Sequence, residues 1–354
     1  MTERLQPVDA RVFSGTGNSL RVARWFAGAG GDVQMMEAPT AGTLRPDSLL
    51  LIACPTHGFT MPTSVLRFIW SLPRGARRNA AVLVTRAGML IGRWHPPGLA
   101  GTAPFLIALV LWLRGYRVLG AASVNMPSNW TSLHPGLPPT STAAILKRAE
   151  AQVQHFAGLV RDGRRHWLTA NLLYELLSGL ALAPISLLYV LFAGRLLGQF
   201  FFASSDCTGC GQCALACPTN AITMRGLQAR PEWSTRCTSC MRCMAFCPRR
   251  AIEASWLWGA ASTALSLAPL GVWKLAGAPT LTGNWWSDLT LLSALCLVFA
   301  ALVVPPLSTL LWRGLQRRSF NRLFTRLTPT HWWRRFREPG TRLKELAPSL
   351  TKRR

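Results

Sequence analysis

Apolar residues recur along this chain in three rhythms, each confined to its own region. Through the first 165 residues, short apolar runs at 10–13, 33–37, 49–53, 80–85 and 117–124 read as strands. Helical patterns at 20–26, 63–70, 101–112 and 140–160 lie between and after them. Strand–helix alternation of this length predicts an α/β fold, a doubly wound parallel sheet that binds ligands at the carboxyl ends of its strands. The helix around 103–113 is apolar on all sides, which predicts packing against another apolar segment or contact with lipid. Further on, the rhythm becomes unbroken. Residues 176–194 form 19 uncharged positions with Pro184 in the middle, 254–273 form 20, and 289–312 form 24. Each is long enough to cross a bilayer, for which ~20 apolar residues suffice.

These rhythms divide the chain into five parts. Residues 1–165 are the α/β domain and 166–202 an apolar, membrane-associated segment. Residues 203–253 are polar and rich in cysteine, 254–312 form a transmembrane helical hairpin, and 313–354 a basic tail. Apolar residues make up 49% and charged residues only 15%, with mean hydropathy +0.21, too apolar for an ordinary soluble chain. The formal charge of +25 fits either nucleic acid or an anionic membrane surface. Its distribution favours the membrane: residues 313–354 hold 13 Lys/Arg against Glu338 and Glu345, directly after an apolar run. No nucleic-acid partner is expected, because no reader motif is visible.

Three full crossings would put the first domain and the cysteine-rich domain on opposite faces. Both are net basic, as is the tail, whereas the 274–288 connector carries only Lys274 and Asp288. The positive-inside rule therefore places both domains on the cytoplasmic face of the cell inner membrane, with 254–273 and 289–312 as the two spans. Residues 176–194 then dip in and return at Pro184, or lie along the interface. Trp256, Trp258, Trp285, Trp286 and Trp312 fall near span ends, and Trp332 and Trp333 suit a helix lying on the membrane. The first ten residues have no signal-peptide core.

The chemistry is concentrated in two cysteine runs. Cys207, Cys210, Cys213 and Cys217 precede Pro218, and Cys237, Cys240, Cys243 and Cys247 precede Pro248. Each is the C-x2-C-x2-C-x3-C-P spacing by which bacterial ferredoxins hold iron–sulfur clusters. Three thiolates on a tight loop reach one cube, and the fourth, past a helical turn, points at the other. The expected metal ligands are therefore Cys207, Cys210, Cys213 and Cys247 for one 4Fe-4S cluster, and Cys237, Cys240, Cys243 and Cys217 for the second. Zinc would leave half of each run without a purpose, and disulfides would need an oxidising compartment. Cys54 and Cys296 lie in apolar runs and read as packing residues.

A second candidate site follows the first strand. Ser14, Gly15, Thr16, Gly17, Asn18 and Ser19 form a Gly/hydroxyl loop that opens a helix, a phosphate cradle with neither a Walker nor a dinucleotide spacing. His95 and His134 sit in Pro-rich loops, where a lone His is more often a surface residue than a proton shuttle.

The 13–19 loop, the Pro55…Gly58…Pro62 loop and Met126-Pro-Ser-Asn129 resemble the flavodoxin-like half of the flavodoxin–ferredoxin fusion proteins, over residues 8–253. That resemblance implies a flavodoxin-like sheet followed by an α+β dicluster ferredoxin-like domain. It also implies FMN, with its phosphate on residues 14–19. The isoalloxazine would lie between the 55–62 and 85–89 loops, against Pro55, Thr56, His57, Gly58, Phe59, Thr85 and Gly88, near Asn129 and Trp130. One departure is His57, where the family commonly has an aromatic residue. The alternative is a flavodoxin-like fold serving only as a docking platform.

The implied function is electron transfer: a membrane-anchored carrier relaying low-potential electrons to a membrane enzyme or lipid-soluble acceptor. The expected partners are membrane lipid and redox donor and acceptor proteins, or that lipid-soluble acceptor. A second reading is a reductase acting on a lipid, isoprenoid, quinone or tetrapyrrole, with an apolar pocket between residues 103–113 and 176–194. A third is a cluster-based redox sensor.

Overall fold

In the computed structural model, residues 6–38, 42–275 and 282–347 are described, with the side chains of Trp285 and Trp286 left aside. The conclusions on spans and tail that rest on Trp285, Trp286, 276–281 or 348–354 lie outside these residues.

Five strands form the first domain: β1 (Val8–Val12), β2 (Asp32–Met35), β3 (Leu49–Pro55), β4 (Asn79–Gly88) and β5 (Arg117–Pro127). They pair in parallel in the order β2-β1-β3-β4-β5. This is the flavodoxin-like order, in which the direction of winding reverses between β1 and β3 and opens a crevice at their carboxyl ends. The strands read as apolar runs because both faces are covered. Leu49, Leu51 and Ala53 of β3 face one core together with Val22 and Phe26 of α1 (Asn18–Ala27). Leu50, Ile52 and Cys54 face the other, where Val65 and Ile69 of α2 (Thr63–Ser71) and Ile107 and Leu111 of α3 (Ala103–Leu113) pack. Helix α4 (Pro139–Arg161) closes the first face through Val153 and Phe156. The outer side of α3 leaves Leu106, Leu109, Trp112 and Leu113 exposed, which accounts for its all-round apolar sequence.

Helix α5 (Ala170–Leu188) runs straight through Pro184 and continues as a π-helical turn, Tyr189–Ala193. The expected dip and return is therefore corrected. A single Pro removes one ladder hydrogen bond, and the looser turn beyond it absorbs the strain without reversing the chain. Leu172, Glu175, Gly179 and Ser186 face the first domain, while Leu173, Leu177, Leu180, Ile185 and Leu188 are exposed. Gly179 sits so close that a Cβ there would lie 2.9 Å from the Gly101 carbonyl carbon. The anchor is Glu175. It accepts hydrogen bonds from the Ala100 and Gly101 amides at 2.8 and 2.9 Å and forms a buried ion pair with Arg86. Arg86 in turn donates to Asn125 at 2.7 Å.

After α6 (Gly194–Leu196) comes the cysteine-rich domain: β6 (Phe201–Ala203), α7 (Gln212–Leu215), β7 (Ile222–Arg225), β8 (Arg230–Trp233), α8 (Arg242–Phe246) and β9 (Ile252–Ala254). β6 pairs with β9 and β7 with β8, both antiparallel, around Phe201, Phe202, Trp233 and Ile252. The predicted hairpin begins with two short helices, α9 (Trp256–Ser266) and α10 (Ala268–Leu275), instead of one 20-residue span. Pro269, at the start of α10, cannot donate to the preceding turn. The second arm, α11 (Trp285–Gly314), is continuous through Pro305 and Pro306, and the Trp258 indole donates to its Ser308 hydroxyl at 3.0 Å.

Two helical stretches, Ala170–Phe200 and Ser287–Gly314, are long and apolar enough to cross a membrane. Only 11% and 22% of their apolar windows are buried, unlike the core helices of a soluble fold. Helix α12 (Arg318–Arg326) follows; the chain then runs mostly extended to α13 (Leu343–Leu346). The surface helix expected around Trp332 and Trp333 does not form. Trp333 packs edge-on against Trp256 at 5.4 Å, and residues 328–347 cross the protein as a strap.

Glu175→Gln should leave the Arg86 charge uncompensated in a buried site, costing about 3 kcal/mol. A thermal melt of the purified protein is expected to shift down by roughly 6–12 °C.

Candidate functional site

Local backbone geometry repeats at a spacing of thirty residues. Positive φ occurs at Gly209 (70°) and Ser239 (53°), at Gly211 (72°) and Met241 (63°), and at Asn220 (48°) and Arg250 (51°). Each left-handed residue bends the loop so that successive amides turn inward, and the second repeat bears this strain on side chains that disfavour it. The fourth thiol of each run is held alike: Cys217 Sγ accepts from the Ala221 amide at 3.2 Å and Cys247 Sγ from the Ala251 amide at 3.3 Å. Ser239 adds an amide to Cys237 Sγ at 3.4 Å.

The thiols gather in two sets. Cys207, Cys210, Cys213 and Cys247 lie within electrostatic reach of one another and line one cavity. Cys237, Cys240, Cys243 and Cys217 form the other set, in contact with the first through Cys243 and Cys213. Burial pushes Cys213 up to about 12 and raises Cys237, Cys240 and Cys243 too. These thiols keep their protons until a cation displaces them. No three or more His, Cys, Asp or Glu among the described residues close on a single ion. Four thiols spread around an apolar cavity suit a multi-iron cube, and the residues fit the clusters. The sets differ in exposure, for Cys210 is open to solvent.

The flavin loops converge at the strand ends as expected. Ser19 and Thr85 share a hydroxyl hydrogen bond at 2.9 Å, the Thr56 amide donates to the Thr85 carbonyl, and the Ser128 amide to that of Gly88. Asn129 Nδ2 donates to Thr16 Oγ1 at 2.7 Å and Asn18 Nδ2 to the Pro127 carbonyl at 2.8 Å. Phe59 takes positive φ (59°), its carbonyl accepting from the Ser186 hydroxyl. Trp130 is 44% exposed.

The crevice, however, is filled from within the chain. A Cβ at Gly15 would lie 1.7 Å from the Cys240 carbonyl oxygen, so the ligand loop of the second thiol set rests on the Gly15 backbone. Arg242, fully buried, donates to the Ser14 carbonyl at 2.7 Å, to Glu37 at 2.6 Å and to the Ala216 carbonyl at 3.0 Å. Burial pushes the Glu37 carboxyl up, and the Arg242 charge opposes that shift. Burial also lowers His57 to about 4, a shift that the nearby Thr238 backbone opposes. Gly58 lies against the Tyr189 ring, where a Cβ would come within 2.1 Å. On the far side, the strap covers Gly17 with Glu338 and Thr341. The Glu338 amide donates to the Thr16 carbonyl at 2.9 Å, and its carboxylate pairs with Arg21.

The residues expected to bind FMN, 14–19, 55–59, Thr85, Gly88, Asn129 and Trp130, lie where this crevice is filled by contacts within the chain. The Ser14 hydroxyl already accepts from the Gly17 amide, Thr16 is bonded by Asn129, and Ser19 by Thr85. The Glu338 carboxylate stands beside the loop, where it would repel a phosphate dianion. Asn18 Oδ1, Thr56 Oγ1 and His57 Nδ1 are buried without partners, but the space beside the loop belongs to Cys240 and the strap.

Sequence reading did not single out Arg242, Glu37, Glu175 or Glu338. Arg242 was visible between two cluster cysteines, yet a lone arginine there gives no sign of a partner on the other domain.

Residues 202–223 and 234–250 each match a 4Fe-4S binding domain family. The chain thus carries two 4Fe-4S binding segments. A solved structure similar to part of it is a flavodoxin from the domain Archaea, 16% identical over 43% of this chain and 98% of that one, with a TM-score of 0.25. No curated protein matches the chain.

Gly15→Ala should push the Cys240 carbonyl off its seat. Iron quantification after anaerobic purification is expected to fall from about eight to about four atoms per chain, the second cluster being lost.

Proposed function

We propose that this chain is a membrane-attached iron–sulfur electron carrier whose flavodoxin-like sheet cradles the second cluster in place of a flavin. The observation that carries this reading is the seat of Cys240 and Arg242 on the 14–19 loop. In it, Cys207, Cys210, Cys213 and Cys247 hold one 4Fe-4S cluster and Cys217, Cys237, Cys240 and Cys243 the other. When bound, each cluster supplies one-electron redox chemistry. The protein's own residues fix the order of access. Exposed Cys210 leaves the first set open to a soluble donor, and the basic surface suits an acidic one. The second set packs against residues 14–15, His57 and the 170–200 helix, and none of its cysteines is as exposed as Cys210. A Cβ at Gly198 of that helix would lie 2.4 Å from that of Cys237.

Membrane attachment is supported by the weakly buried apolar faces of α5 and α11. Both ends of the 170–200 helix touch the redox domains, at Glu175 and Gly198, which favours a helix lying in the interface. The hairpin of α9, α10 and α11 is then the anchor, with both domains on the cytoplasmic side by the positive-inside rule.

Anaerobic purification in detergent with iron, sulfide and flavin quantification tests the reading. The expected result is about eight irons per chain and a dithionite-reduced EPR spectrum of two interacting clusters. Flavin should be absent. Stoichiometric FMN would sink the cradle, and loss of all iron would sink the carrier.

A further inference from the structure

Beside the second thiol set lies a cleft of about 420 Å³, within the size of small-molecule sites. Its walls come from the start of α2, the π-helical turn and residues 235–238, and Cys237 forms part of the lining. Three arginines, Arg67, Arg195 and Arg236, surround it, and all three are exposed. None has a carboxylate partner among the described residues, and no acidic residue lines the cleft. Guanidinium groups gathered in one place without counter-charge make an anion site, their forked donors matching phosphate and carboxylate.

The same cleft adjoins apolar surface. Tyr189 and Val190 line it, and Leu187, Leu188 and Leu191 of the same helical stretch are exposed beside it. The helix winds there as a π turn, a form frequent at functional sites.

We propose that this cleft binds the net negative, phosphate- or carboxylate-bearing head of a membrane amphiphile, whose hydrocarbon lies along the exposed face of the 170–200 helix. The bound head group holds the second cluster's ligand loop against the membrane surface, so the membrane side of the protein is the Cys237 side. This rests on the reading of Cys237 as a cluster ligand.

The test reconstitutes the full-length holoprotein in phosphatidylcholine nanodiscs with a trace of nitroxide-labelled lipid. The label sits at the same upper acyl carbon of either phosphatidylglycerol or phosphatidylcholine. Reduced clusters should speed the spin relaxation of labelled phosphatidylglycerol and leave labelled phosphatidylcholine unchanged. The triple variant Arg67→Gln/Arg195→Gln/Arg236→Gln should weaken phosphatidylglycerol binding about a hundredfold, at about fivefold per arginine. The corresponding Arg→Lys variant should retain most of it. Should the triple variant lose iron, Arg195→Gln alone serves, with about a fivefold loss expected. Displacement of the labelled lipid by millimolar inorganic phosphate would support the anion site but assign it to a free phosphate-bearing molecule; failure to displace it assigns the site to the head group. Equal relaxation of both lipids, no relaxation of either while the cluster EPR signals are present, or wild-type binding by a glutamine variant that retains its iron overturns the proposal. Absent cluster signals would instead count against the carrier reading on which it rests.

Discussion

A buried guanidinium holds this molecule together. Arg242 reaches the carbonyl after β1, the Glu37 carboxylate beyond β2 and the carbonyl of Ala216 in the opposite half of its own domain. A charge in such a place is tolerated because both terminal nitrogens have acceptors, one of them ionised, while Nε is left without a partner. Separating the two domains would strand Arg242 and Glu37 together, so the crevice cannot open cheaply to admit a ligand. The closeness of Cys240 to Gly15 follows from that bond, since Cys240 lies two residues before the arginine.

The strap extends the same logic across the surface. Glu253, buried at the end of the cysteine-rich domain, accepts from Thr330 at 2.6 Å and Arg335 at 2.8 Å. Glu338 then joins Arg21 and Thr16, and Glu345 pairs with Arg24 at 2.8 Å. A tail that looked like free positive charge thus spends several charged groups on the protein itself. Its apolar residues Phe320, Leu323, Leu327 and Trp332 remain exposed.

The parts of the structure legible in the sequence were those where chemistry leaves little choice. Cube geometry dictates cysteine spacing, so the two runs could be read directly, and residues 202–223 and 234–250 each match a 4Fe-4S binding domain family. Strands buried on both faces announced the parallel sheet, with β4 and β5 running three residues beyond their expected ends. The occupant of the crevice was not legible for a definite reason. A loop of Gly, Ser and Thr suits phosphate because it has amides and no side-chain bulk. A loop that must accept another backbone at Gly15 needs the same residues. Likewise Pro184 marks a lost hydrogen bond but does not reveal whether the helix ends there or relaxes through a π turn.

The placement of the apolar surfaces decides how far the redox centres stand from the membrane. Helix α3 shows Leu106, Leu109, Trp112 and Leu113 to the outside, and α5 shows Leu173, Leu177, Leu180 and Leu188. Gly179 of α5 meets Gly101, two residues before α3, so the exposed apolar residues of the two helices lie on neighbouring segments. A tether would hold the domains at the end of a flexible stalk. A shared apolar face buries part of the protein in the interface instead. The 170–200 helical stretch carries exposed apolar residues along α5 and meets Cys237 at Gly198, so one helical stretch joins that face to the second thiol set's loop. On the proposed membrane attachment, contact through these faces would set the second cluster's distance from the bilayer.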